Sequence, residues 1–298
     1  FFGIMTAVIA IPTGVKIFNW LFTMYKGRIR FTSMMLWFMG FVVLFTLGGV
    51  AGVMMSEPTA DYQLSNGLFL VAHFHTMIVS GVLFGYFAGL TYWLPKIFGF
   101  TLNEKWGIRA FWCWLIGFIL AFGPLYILGF MGATRRLDHY ASSLGFQPLF
   151  IVAGIGAFII ICGFILQMVQ LFVSIRDRNE NRDRSGDPWN GRTLEWSIPS
   201  PVPYYNFAVL PIVSERDSFW NQKEQGVVFP IEYEQYEDIS IPKNTSSGLV
   251  IACFVLLMGF GIVWHLWWLA VGGVLGAVVS IFVRGFTQDT EYVVPAVE

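Results

Sequence analysis

The sequence predicts an all-α integral membrane protein, a polytopic bundle of about five membrane-spanning helices followed by a C-terminal helical hairpin. Three observations carry that prediction. Of the 298 residues, 56% are hydrophobic and only 12% are charged, half of the roughly 25% charged content of a soluble domain. Apolar runs long enough to cross a bilayer, about 20 residues, recur along the chain. The 30 Phe, 12 Trp and 31 Gly residues are the types that aromatic belts and close helix–helix contacts use. A formal net charge of −1 offers nothing to a polyanion, so membrane lipid and not nucleic acid is the expected surrounding. Cys113, Cys162 and Cys253 stand singly in apolar runs and read as small packing residues.

In chain order, apolar spans fall at about 1–24, 33–56, 67–95, 107–131 and 148–175. Phe1 already lies in an apolar run, with neither initiator Met nor signal peptide before it, and the expectation is the C-terminal part of a longer chain. Residues 176–247 are rich in Pro, Asn, Asp and Ser and suit a cytoplasmic excursion of turns and extended segments. The last apolar run, 248–284, is too long for one comfortable span and carries Trp264-His265-Leu266-Trp267-Trp268 near its middle. It reads as a hairpin, 248–265 and 268–284, with an interfacial aromatic tip, followed by a tail, 285–298. Lys and Arg in the short loops put Lys26 to Arg30, Lys96 to Arg109 and the segment after Arg176 in the cytoplasm, and Glu57 to Asn66 outside. Arg135 and Arg136, in a loop on the outer side, go against that rule.

Chemistry concentrates on the third span, in Leu70-Val71-Ala72-His73-Phe74-His75-Thr76. Residues two apart on a helix point about 200° apart. His73 and His75 therefore face opposite sides and cannot share one metal ion, though each can hold its own. The alternatives are hydrogen bonds to neighbouring helices or an aqueous cavity, but no acid accompanies them on their span. Arg135 and Arg136 either snorkel from a helix end or pair with carboxylates, whose shape the guanidinium matches. Lys16 lies about two turns inside the first span with Thr13 on the same face, so it is either a snorkelling lysine or a buried proton carrier. Asp61, in an outer loop, is either solvated or near the arginines.

Taken together, Val71-Ala72-His73-Phe74-His75, Ile11-Pro12-Thr13-Gly14-Val15-Lys16-Ile17-Phe18-Asn19-Trp20, Thr134-Arg135-Arg136, Asp187-Pro188-Trp189 and Thr193-Leu194-Glu195-Trp196 resemble subunit I of the haem–copper terminal oxidases. The resemblance runs nearly end to end and lies closest to the bo-type branch that oxidises ubiquinol. It implies that His73 is the axial ligand of a high-spin haem, of the o type or related, and that His75 is one axial ligand of a low-spin haem b. Arg135 and Arg136 would hold haem propionates, with Asp61 close by, and Lys16 with Thr13 would belong to a proton path from the cytoplasm. The family's copper ligands, crosslinked tyrosine, second low-spin ligand and main quinol contacts fall before Phe1, so this piece alone should not turn over. A departure is Ser65-Asn66, where the cytochrome c branch has a His–Asp pair and the bo type usually keeps a His before the Asn.

The resulting expectation is a proton-translocating quinol oxidase subunit of a bacterial inner membrane. On that reading 1–175 is the haem-binding bundle, and ubiquinol, oxygen and further oxidase subunits are its partners. The rivals are a cytochrome c oxidase subunit I, a haem-free transporter or proton channel, and a structural membrane subunit.

Overall fold

In a computed structural model the described residues are 1–213, 215–227 and 236–296. Parts of two expected segments therefore fall outside the described residues: 214 and 228–235 of the 176–247 stretch, and 297–298 of the tail. The chain divides into two compact units, Phe1–Val202 and Pro203–Glu298.

The first unit is a helical bundle. Helix α1 runs Phe2–Met24, α2 Ser33–Ser56, and a short α3 Pro58–Leu64. Helix α4 spans Leu68–Ile78, continues through a π-helical stretch Val79–Phe84, and becomes α5, Gly85–Phe98. Helices α6, Glu104–Phe130, and α7, Gln147–Arg176, complete it. Among the described residues six helices are long and apolar enough to cross a membrane, counting Leu68–Phe98 as one. The expected spans agree with them to within a few residues; the π stretch and α3 carry no periodic signal of their own.

The helix starts show why the boundaries fall where they do. Thr32 accepts from the Met35 N–H and so caps α2, and Asn103 does the same for α6 through Trp106. The Glu104 carboxylate serves two helices. It sits in the first turn of α6, where the helix dipole favours an anion, and it accepts from the Ser33 N–H at 2.5 Å and the Ser33 hydroxyl at 2.8 Å. Ser33 is fully buried, so that carboxylate satisfies a donor at the head of α2 that water cannot reach.

The bundle core is aromatic. Trp37, wholly buried, meets Phe84 and Phe111 edge-on at centroid distances of 4.9 and 5.3 Å, with Ala88, Ala110, Trp114 and Phe118 around them. Small residues bring α6 and α7 together. A methyl on Gly117 would lie 2.8 Å from the Ile160 nitrogen, and one on Gly156 would strike the Ala121 backbone. With no hydrophobic drive between helices in lipid, such backbone-to-backbone approach is what holds neighbours together. Contacts sort the helix ends into two sets. Gly67 bridges Thr134 at one end, while Phe100 bridges Arg182 and Ser174 accepts from the Asn103 N–H at the other.

The second unit contains α8, Ser218–Glu224, then strand β1, Ile239–Pro242, helices α9, Ser247–Val263, and α10, Trp267–Gly285, and strand β2, Glu291–Val294. The helices form the expected hairpin. They close on glycines, since a methyl on Gly273 would lie 2.6 Å from the Met258 nitrogen. At the far end β1 pairs antiparallel with β2, Ile239 opposite Val294, and Lys243 meets Asp289 at 2.5 Å. Trp264, Trp267 and Trp268 stand exposed at the turn, where His265 takes a left-handed backbone, φ 57°.

Candidate functional site

His73 and His75 sit in the second turn of α4 and reach different neighbours, as their spacing predicts. The His73 Nδ1 lies 3.0 Å from the Gly48 carbonyl oxygen of α2, and only a protonated Nδ1 satisfies that acceptor. The Gly48 carbonyl thereby fixes the ring's tautomer and leaves the Nε2 lone pair for another partner. His75 turns the other way. Its Nδ1 lies 2.8 Å from the Val71 carbonyl oxygen, one turn back on its own helix, and its ring stacks on Phe122 of α6 at 4.6 Å. Both imidazoles are half-buried, and in each the Nδ1 is the nitrogen held by a backbone carbonyl.

The approach of α2 to His73 depends on the absence of a side chain. A methyl on Gly52 would lie 2.9 Å from His73 Cε1 and 3.5 Å from Nε2. Gly48 and Gly52 are one turn apart, so one face of α2 supplies both the carbonyl and the clearance. Neither glycine was singled out from the sequence; the small-residue spacing in Gly48-Gly49-Val50-Ala51-Gly52 was the available signal. Thr76 and Tyr126 were missed as well. The buried Thr76 hydroxyl donates to the Ala72 carbonyl at 2.7 Å and accepts from Tyr126 of α6 at 3.1 Å, joining the two helices at the residue next to His75.

Arg135 and Arg136 are brought to the start of the same helix. The Arg135 N–H donates to the Asn66 carbonyl and the Leu68 N–H to the Ala133 carbonyl, both at 2.9 Å, so the loop after α6 is laced to the head of α4. His73 is five residues further on, about 7.5 Å along the axis. Arg136 takes a left-handed backbone, φ 68°. The Arg135 Nε is buried and has no hydrogen-bond partner among the described residues. A guanidinium N–H in that state is short of an acceptor, and a carboxylate is the group whose geometry it fits. In the same loop the His139 ring holds the Asp138 carboxyl below its ordinary value, and burial pushes the Tyr140 phenol up. The Tyr140 hydroxyl donates to the Thr134 carbonyl at 2.5 Å.

Asp61 lies in α3, half-exposed, and makes no ion pair with either arginine among the described residues. Thr13 and Lys16 occupy α1, which packs chiefly against α2. The Thr13 hydroxyl donates to the Ile9 carbonyl at 3.0 Å and Lys16 is exposed, so nothing described brings these two to the histidines. Among the described residues no three His, Cys, Asp or Glu side chains gather into a set that could hold a metal ion.

The donor set fits haem. Two separated imidazoles, each with its Nδ1 committed to a carbonyl, suit axial ligation of separate groups rather than a shared chelate. The arginine with an orphaned N–H at the same end suits a propionate.

Comparison with known proteins bears on this geometry. A family described as Cytochrome C and Quinol oxidase polypeptide I matches residues 1–159. The chain is 54% identical to cytochrome bo(3) ubiquinol oxidase subunit 1 of Buchnera aphidicola subsp. Acyrthosiphon pisum (strain APS), covering 100% of this chain and 45% of that one. It is 53% identical to ubiquinol oxidase subunit 1 of Acetobacter aceti, with the same coverage of each. A probable cytochrome c oxidase subunit 1 of Bradyrhizobium diazoefficiens is 49% identical, again over 100% of this chain and 45% of the relative. The chain thus spans a little under half the length of these relatives. On a match to more than half its residues, with the paired imidazoles in place, the chain belongs to the family of cytochrome c and quinol oxidase polypeptide I.

Proposed function

We propose that this chain is part of subunit I of a proton-translocating ubiquinol oxidase of the bacterial inner membrane, which oxidises ubiquinol and reduces oxygen to water. The observation that carries the reading is the pair of opposed imidazoles on α4, with Nδ1 of His73 committed to Gly48 and Nδ1 of His75 to Val71. High identity to two ubiquinol oxidase subunits supports the choice of quinol as reductant.

Haem supplies the one-electron carrier and the oxygen-reducing centre when bound. His75 would hold a low-spin haem b and His73 a high-spin haem of the o type or related, with copper as the further metal of the oxygen site. Each residue then has a task that follows from its surroundings. The carbonyls of Gly48 and Val71 hold each ring by its Nδ1 and so turn Nε2 toward the group it would bind. Phe122, flat against the His75 ring, restricts its rotation. One helix carrying both rings fixes their separation. Arg135 and Arg136 would balance the charge of propionates at the outer end, and Asp61 would lie near that charge. Lys16, with Thr13 a turn away, would carry a proton on Nζ along a path from the cytoplasmic side. Other oxidase subunits and lipid complete the surroundings.

A second reading, a cytochrome c oxidase, is favoured by the Bradyrhizobium relative. Turnover of the full-length protein with ubiquinol against reduced cytochrome c separates the two. For the haem assignment the test is spectral. His75→Ala should abolish the low-spin signal and leave the high-spin one partly intact, and His73→Ala should do the reverse. Loss of neither signal in either variant, or a colourless full-length protein, refutes the assignment.

A further inference from the structure

Residues 181–202 fold back across the end of α5 as a strap. The Asp183 N–H donates to the Gly99 carbonyl at 2.9 Å, Thr101 N–H to Asn181 at 3.0 Å, and Val202 N–H to Lys96 at 2.9 Å. Two indoles fasten it further: Trp189 donates to the Tyr92 carbonyl at 2.8 Å and Trp196 to the Tyr92 hydroxyl at 2.9 Å. Beneath the strap, in the last turn of α5, lies Lys96, only 5% exposed.

The polar accounting under the strap is incomplete. The Lys96 ammonium carries three protons. One goes to the Ile198 carbonyl at 2.5 Å, and the Trp196 ring lies 5.2 Å away as a π partner. No carboxylate among the described residues makes a direct ion pair with it. Asp183, 7% exposed, has the opposite deficit. Its Oδ1 accepts from Ser185 N–H at 3.0 Å, Ser185 Oγ at 2.8 Å and Gly186 N–H at 3.1 Å, while the buried Oδ2 has no partner. The Ser200 hydroxyl is a third buried atom without one.

These deficits converge. The Gly186 that Asp183 holds abuts the Ile198 carbonyl that takes the Lys96 proton, since a methyl there would lie 2.7 Å from that oxygen. Asp183 is the carboxylate whose field acts most strongly on Lys96. A buried ammonium and a buried carboxylate, each short of partners and making no direct ion pair, are stabilised by a molecule between them that both donates and accepts.

We infer that a buried water site lies between Lys96 Nζ and Asp183 Oδ2, with Ser200 Oγ beside it, and that the water-bridged ion pair latches the strap to α5. Water fits because it offers an acceptor to the ammonium and a donor to the carboxylate at once. The latch acts at the far end of the rod that carries His73 and His75, and it stands whether or not those residues bind haem.

Two measurements on the full-length protein in lipid nanodiscs test this. In a high-resolution cryo-electron microscopy map, density for a water within hydrogen-bond distance of both Nζ and Oδ2 is expected. A direct Nζ–Oδ2 contact, or a gap without density, overturns the proposal. In native-state trypsin digestion, Arg184 and Arg192 in the strap become cleavable when it lifts. Asp183→Asn keeps an oxygen for the three Oδ1 donors and replaces the acceptor at Oδ2. It should speed strap cleavage between about ten- and a hundredfold, the effect of losing a hydrogen bond to a charged group. Lys96→Met should do the same, and the double variant should cleave no faster than the faster single one. Unchanged cleavage in Asp183→Asn, or effects that multiply in the double variant, refute the latch. Asp183→Asn nearly preserves shape, so its result stands even where Lys96→Met fails to fold.

Discussion

Gly52→Ala places one methyl group against the ring of His73. The added carbon would lie 2.9 Å from Cε1, roughly half an ångström inside ordinary contact, and 3.5 Å from Nε2. The ring cannot simply swing away, because its Nδ1 donates to the Gly48 carbonyl at 3.0 Å on the same helix. Either that hydrogen bond stretches, at about 0.5–1.5 kcal/mol, or α2 backs away from α4, an overpacking cost of about 1–3 kcal/mol. Replacing a helical glycine returns at most about 1 kcal/mol of helix propensity. Set against that gain, the net expectation is a loss of up to about 2 kcal/mol at this site, felt first by whatever Nε2 binds. Gly49→Ala is the internal control, since nothing lies within 4 Å of a methyl there and the helix gain is the same. Reduced-minus-oxidised and carbon monoxide difference spectra of the full-length protein read the result. In Gly52→Ala the carbon monoxide-reactive component should weaken or shift while the low-spin component stays, and in Gly49→Ala both should match the parent. Identical spectra and thermal stability in the two variants would refute the claim that α2 positions His73.

Two further outcomes follow from single contacts. Glu104→Ala removes the acceptor of both the Ser33 N–H and hydroxyl at the buried head of α2. It should cost about 1.5–3 kcal/mol, the range for hydrogen bonds to a charged group, seen as a lower melting temperature by circular dichroism with the haem spectrum unchanged. Lys16→Met should slow reduction of the oxygen site while both haems remain bound, and stopped-flow turnover equal to the parent would leave Lys16 a membrane anchor.

How much was legible in the sequence depended on whether the signal was local. The spans and the hairpin follow from apolar run length, and the opposed facing of His73 and His75 follows from helical geometry alone. Their partners do not. Gly48, Gly52 and Phe122 reach the histidines only because α2 and α6 pack against α4, and nothing in the pattern of α4 names them. The strap was hidden for a related reason. Its hydrogen bonds to Tyr92 and Lys96 cross about a hundred residues, and extended chain without periodicity gives no hint of what it lies on. Lys16 marks another limit: its depth in α1 is readable, but run length alone does not give the exposure that the structure shows for it.

The π stretch Val79–Phe84 winds with one residue more per turn than the helices on either side of it. In uninterrupted α-helix, removing a residue turns everything beyond it by about 100°. Such a loss elsewhere in the 31-residue rod Leu68–Phe98 would swing Tyr92 and Lys96 out from under the strap, or swing the imidazoles off α2 and α6. Within Val79–Phe84 the same deletion would consume the surplus, letting the segment relax to ordinary winding with both ends still in phase. The rod therefore carries a single residue of slack, placed between its two sets of obligations.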